Sequence, residues 1–169
     1  MKNLIFILLF VIVLIACDNK KEVSSIHPEK WEKRTVNNKL SDFLVSGTSY
    51  LSVYSQINSI SEHRTHDLTA TISIRNTNRR DTLFILKAEY FNTKGDLIRS
   101  YFNKPVFIRP LETVEIIIDE IDKEGGTGAN FLFEWKIKQT SNEPLFEGIM
   151  ISTSGQQGLS FTTRGVKIN

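Results

Sequence analysis

Phe131-Leu132-Phe133-Glu134-Trp135-Lys136-Ile137-Lys138 decides the fold class of this chain. Phe131, Phe133, Trp135 and Ile137 fall on every second residue, with Leu132, Glu134, Lys136 and Lys138 between them. Successive side chains of a strand point to opposite faces, so this pattern buries one face and leaves the other wet. The same period appears in Leu68, Ala70, Ile72 and Ile74, set between Thr69, Thr71, Ser73 and Arg75. It appears again in Phe84, Leu86, Ala88 and Tyr90, with Lys87 and Glu89 opposite. Val114, Ile116 and Ile118 repeat it, with Ile117 as an apolar exception on the wet side.

Weaker alternation marks Tyr50 to Ile57, Leu97 to Phe102, Leu145 to Ser152 and Leu159 to Ile168. Turn residues separate these runs. Asn92-Thr93-Lys94-Gly95-Asp96 reads as a hairpin loop with its glycine in a left-handed position. Asn76 to Asp81 reads as another connection, and Pro110 as a strand entry. About seven or eight short strands without helical patterns between them predict an all-β, immunoglobulin-like antiparallel β-sandwich. It occupies residues 48–169, and about 120 residues can bury one core without disulfides.

The N-terminus has a different character. Lys2 precedes an unbroken apolar run from Leu4 to Ile15, the pattern of a secretory signal over residues 1–16. The run is shorter than the roughly 20 apolar residues that a spanning helix needs. Leu14-Ile15-Ala16-Cys17 resembles the lipobox of bacterial lipoproteins, in which the cysteine is acylated and becomes the new N-terminus. Cys17 is the single cysteine of the chain. Acylation would remove a reactive thiol from an exported protein, and the mature domain would hold no disulfide. One acyl chain holds only marginally, so stable attachment takes two or three.

The expected location is therefore the bacterial cell envelope, with the protein held on a membrane by lipid. Asp18 resembles the inner-membrane retention signal of enteric lipoproteins, and the choice of membrane stays open. Residues 17–47 read as a lipidated N-terminus and flexible tether, polar and charged at first. Pro28 suits the first turn of a short helix, with Trp31, Leu40, Phe43 and Leu44 on an irregular apolar side.

Several pieces of the domain are familiar together: Ser73-Ile74-Arg75-Asn76, Glu89-Tyr90-Phe91, Arg109-Pro110-Leu111-Glu112-Thr113, Gly125-Gly126-Thr127-Gly128-Ala129-Asn130-Phe131, and Arg164-Gly165-Val166. They resemble a bacterial family catalogued as domain of unknown function 3124, often found behind a lipobox. The resemblance implies a domain from about Tyr50 to the C-terminus. It implies no activity, cofactor or catalytic residue.

Two clusters are candidates for a ligand or metal. The first is the glycine-rich stretch after Asp119, Asp122 and Glu124. It lacks the Gly-Lys-Ser/Thr of a nucleotide loop, and its carboxylates suit a cation better than a phosphate. A tight turn with a solvated acidic flank explains the same residues. The second is His63 with His66, which would need a carboxylate to complete a site. On a strand these two imidazoles point to opposite faces.

No Gly-x-Ser-x-Gly elbow is present, and the sequence suggests neither an enzyme nor a cofactor. Loss of Lys2 with the signal takes the formal charge from +2 to +1, which argues against nucleic acid. The expected activity is binding to a protein or envelope polymer. The alternative is a small-ligand or metal-binding lipoprotein.

Overall fold

The computed structural model describes residues 31–153 and 158–169. The signal, the lipobox and Cys17 lie outside the described residues, as does most of the Ser152 to Gly158 loop. Among the described residues twelve strands form three antiparallel sheets. They are β1 Leu44–Val53, β2 Gln56–Ser59, β3 Ser61–Asp67, β4 Thr69–Arg75, β5 Leu83–Phe91, β6 Leu97–Ser100, β7 Val106–Ile108, β8 Thr113–Ile118, β9 Ala129–Lys138, β10 Leu145–Ser152, β11 Leu159–Arg164 and β12 Val166–Lys167.

The all-β expectation is met. The large sheet runs β12-β1-β9-β5-β6, with β7 also on β5. The second runs β11-β10-β4-β8, and β2 with β3 makes a separate hairpin. Every strand that the sequence predicts has a counterpart. The structure divides the Tyr50 to Ile57 run into β1 and β2 and the Leu159 to Ile168 run into β11 and β12, adds β3 and β7, and starts β1 six residues earlier than the alternation from Tyr50 suggests. In β5 a bulge between Ile85 and Lys87 breaks the expected row: Ala88 and Tyr90 are buried with Leu83 and Ile85, while Phe84 and Leu86 are only partly buried.

The two larger sheets share one core. Phe131, Phe133 and Trp135 of β9 are buried, as their period requires. Phe133 stacks on Phe146 of the opposite sheet, with ring centroids 4.3 Å apart. Phe131 stacks between Phe133 at 5.4 Å and Tyr90 at 4.8 Å. Phe133 stands between two small neighbours, Ser49 of β1 and Ala88 of β5. Trp135 pairs with Gly47 and donates its indole N–H to Ser49 Oγ at 3.0 Å. A Cβ on Gly47 would meet that ring at 2.2 Å. Gly47 is therefore a core position of β1 without a side chain, which hides it from a pattern of apolar residues.

The sandwich closes at one edge because the chain changes sheets. β11 pairs with β10, and β12, one residue later, pairs with β1. Gly165 makes the step: its N–H donates to Phe146 O at 2.8 Å, where a Cβ would lie 2.9 Å from the Phe146 Cβ.

The tether reading changes for the residues before β1. Trp31 is only 4% exposed and packs on Phe102 at 5.0 Å. Phe107 N donates to Arg34 O, and Val36 N donates to Pro105 O. Arg34 also pairs with Glu112 at 2.8 Å. One large apolar side chain and this bonding hold residues 31–36 on the domain.

Overpacking a filled core costs about 1–3 kcal/mol. Gly47→Ala should lower unfolding stability by that order, read from urea unfolding at unchanged m-value.

Candidate functional site

Both clusters singled out in the sequence fall at the same end of the sandwich, where the β2–β3 hairpin, the β5–β6 turn and the β8–β9 loop meet. The β5–β6 turn is built by Asn92, whose Oδ1 accepts the N–H groups of Lys94 and Asp96 at 2.9 Å each. Gly95 takes φ 87°, as the hairpin reading requires.

Thr93 ties this turn to the glycine-rich loop. Its Oγ1 donates to Gly125 O at 2.9 Å and accepts from Gly128 N at 2.9 Å. Ser55 Oγ donates to Gly126 O at 3.2 Å. Gly126 has φ 71°, and a Cβ on Gly125 would lie 1.9 Å from the Tyr90 hydroxyl. Close packing on Tyr90 and Thr93, and one left-handed residue, explain these glycines. No phosphate need be invoked.

The acidic residues have partners within the domain. Asp122 is buried, and its Oδ2 accepts from both Arg99 Nη1 and Nη2 at 3.0 Å. Arg99 Nη2 also reaches Glu124 Oε2 at 3.5 Å, and Nη1 reaches the Tyr101 hydroxyl at 3.4 Å. The guanidinium lies 5.9 Å from the centre of the Tyr90 ring. Burial opposes its charge, but Tyr101 and Asp122 outweigh that and hold its pKa above the ordinary value. Burial, with the Asp122 charge nearby, pushes the Tyr90 hydroxyl well above the ordinary tyrosine range.

Asp119 stands apart from this pair and caps its own turn, accepting from Ile121 N at 3.1 Å. The hairpin is held by Asp67, which pairs with Lys123 at 2.6 Å and accepts from Gln56 at 2.7 Å. His63 is exposed on β3 beside Glu62, and His66 sits opposite Ile57. The hairpin tip carries Ile60, 91% exposed with φ 66°, a conformation that β-branched residues rarely take.

The structure thus brings Asp122 and Glu124 together, but on Arg99. It leaves Asp119, His63 and His66 outside that pair. Among the described residues no three His, Cys, Asp or Glu side chains are grouped to hold a metal ion. The sequence reading missed Arg99, Thr93 and Lys123. Their partners lie 23 or more residues away in the chain, so no local spacing marks them.

A family model described as "Protein of unknown function (DUF3124)" matches residues 46–168. That span includes every motif on which the resemblance rested. A comparison with curated proteins returned no match. A solved structure, titled "Crystal Structure of Thermotoga maritima 1070", aligns at 11% identity with a TM-score of 0.45. The alignment covers 71% of this chain and 92% of that one.

Removing one partner of a buried ion pair strands the other charge, at about 3–5 kcal/mol. Asp122→Ala should cost about 3 kcal/mol by chemical unfolding, because Arg99 stays 11% exposed and keeps Glu124. Glu124→Ala, at a 60% exposed side chain, should cost under about 1 kcal/mol.

The hydrogen bonds from Lys123 and then Gln56 hold the Asp67 carboxyl below its usual pKa. Arg34 does the same for Glu112. A depressed carboxylate stabilises the fold above its unfolded pKa and loses that contribution as pH falls through the folded value. Below about pH 4, Asp67→Asn should therefore flatten the loss of stability with acid, measured as urea midpoints over that range.

Proposed function

The chain belongs to the DUF3124 family, and from that premise we propose that it is a lipid-anchored cell-envelope protein whose β-sandwich acts by binding, without catalysis. The anchor reading rests on Leu14-Ile15-Ala16-Cys17 and on Cys17 being the single thiol. Acylation at that position consumes the thiol and gives the domain its address. Asp18 leaves either membrane open. Among the described residues no helix is long and apolar enough to cross a membrane.

We read the sandwich as immunoglobulin-like: rigid antiparallel sheets, loops gathered at two ends, and open edge strands at β8 and β11. The observation that carries the binding reading is the outer face of the four-stranded sheet. Ile149 and Ile151 of β10 stand 36% and 43% exposed on it. Register places Ile149 between Thr71 and Thr162, and Ile117 lies across Thr71. A soluble sheet face normally carries charge at such positions, and a flat row of isoleucine and threonine suits contact with a partner. Beside it, β11 has no charged residue before Arg164, which suits strand addition by an extended partner. The partner on this reading is another protein or an envelope polymer.

Labelled fatty acid should appear on the wild-type chain, and Cys17→Ala should yield an unlabelled protein that leaves the membrane fraction or stays unprocessed. A variant that remained labelled would refute the anchor. On the same preparation, capture from detergent-solubilised envelope should recover a stoichiometric partner, lost on Ile149→Lys. A stoichiometric metal lost on Asp122→Ala or His66→Ala would instead favour the small-ligand alternative.

A further inference from the structure

The segment that leads into β1 roofs a groove on the outer face of the large sheet. From Val36, bonded to Pro105, the chain crosses Leu86 of β5 and Lys136 of β9 before it enters β1 at Leu44. It leaves a hollow of about 460 Å³ that Leu40, Leu86 and Pro105 help to line. Lys39, Lys104 and Lys136 also line it, and Asp42 is its one acidic lining residue. Asp42 pairs with Lys39 at 3.2 Å, and Lys104 donates to Asn37 at 3.4 Å. Lys136 makes no ion pair among the described residues. The groove is thus apolar in part, with a net positive charge. Phe43, next to Asp42, is 93% exposed, the most exposed large apolar side chain described.

We infer that this groove is a second membrane contact: it seats anionic lipid headgroups of the bilayer that carries the anchor, while Phe43 enters the interface. The inference rests on the Cys17 reading. Two observations choose this occupant. The first is charge complementarity, because lysines beside an exposed aromatic fit a negatively charged leaflet and its headgroup layer. The second is where the chain outside the described residues ends. Trp31 is docked beside Phe102, five residues before Val36 of the groove. Only residues 18–30 separate Cys17 from Trp31, and even as a free coil that length reaches about 20 Å. A leash counted to residue 47 would reach roughly 30 Å. The docking of Trp31 therefore roots the tether at the groove and keeps that face near the lipid. Lysine attraction to a leaflet acts over a Debye length, about 8 Å at physiological salt, so such proximity is required.

Phe43→Trp in the full chain provides the probe, since Trp31 and Trp135 are both buried. The chain is reconstituted with vesicles of phosphatidylcholine alone or with phosphatidylglycerol, each carrying brominated acyl chains that quench tryptophan on contact. The expected result is blue-shifted, quenched emission in the anionic vesicles and little in the neutral ones, with quenching reduced by salt. Adding Lys39→Glu, Lys104→Glu and Lys136→Glu should abolish it. Each lysine neutralised singly to Gln should weaken the anionic preference about fivefold. These single variants decide the matter if circular dichroism shows the triple variant unfolded. Equal quenching in both vesicles, or quenching indifferent to the lysines, overturns the inference. So does a blue shift that appears without vesicles and grows with protein concentration, the sign of a second copy on this face. The mass of the Cys17 peptide reports the anchor separately: lysine-dependent quenching with an unacylated Cys17 would keep the groove and remove the anchor.

Discussion

A column of aromatic rings crosses the sandwich, and the rest of the domain is arranged around it. Tyr90, Phe131, Phe133 and Phe146 stack in sequence at 4.8, 5.4 and 4.3 Å, the last step joining the two sheets. Each such side chain buries about 150–250 Å², so the column supplies much of what holds a cysteine-free domain together. It also dictates where small residues must stand. Ser49 and Ala88 flank Phe133, Gly47 admits Trp135, and Gly165 passes over Phe146 as the chain changes sheets. The glycine-rich loop obeys the same constraint, because Gly125 lies against the Tyr90 hydroxyl at the far end of the column.

Charge at the loop end follows from that packing. Tyr90 and Tyr101 place a largely buried guanidinium at Arg99, which needs a nearby carboxylate to be tolerated. Asp122 supplies it and Glu124 supports it. An acidic stretch that suggests a cation site in one dimension is thus answered by a cation from another strand. Solvent-facing chemistry moves elsewhere, to the isoleucine row of the small sheet and the lysine-rimmed groove of the large one. The first lies on a sheet face, and the second lies between a sheet face and the segment that leads into β1.

The strands that the sequence revealed are those with one buried face. β4, β8 and β9 alternate because the core demands it, and Ile117 reads as an exception because it faces outward. The row expected in β5 is wrong, because a bulge between Ile85 and Lys87 buries Leu83 and Ile85 with Ala88 and Tyr90 and leaves Phe84 and Leu86 out. β3 escaped because Ser61-Glu62-His63-Arg64-Thr65-His66-Asp67 has no apolar residue: its first five residues are exposed, and it gives the core no side chain. β7, at three residues, is too short to show a period. The start of β1 escaped because its inward position at Gly47 is filled by a neighbour's indole ring. Trp31 escaped because a single aromatic anchor has no periodicity at all. Of the candidate site, the carboxylates were legible, but their partner was not.

By itself the sequence determined the all-β class, the family and the positions of most strands, and it carries the lipobox at Cys17 that motivates the anchor reading. These are local properties: a period of two residues, or a run of apolar residues before a cysteine. Only the tertiary structure decided that Asp122 belongs to Arg99, that Trp31 is part of the core, and that Lys39, Lys104 and Lys136 share one groove. The lysines come from three separate parts of the chain, and Asp122 meets Arg99 across 23 residues. Such pairings depend on which strands lie side by side. Strand order follows from how the aromatic column packs, and no stretch of sequence shorter than the domain contains that information.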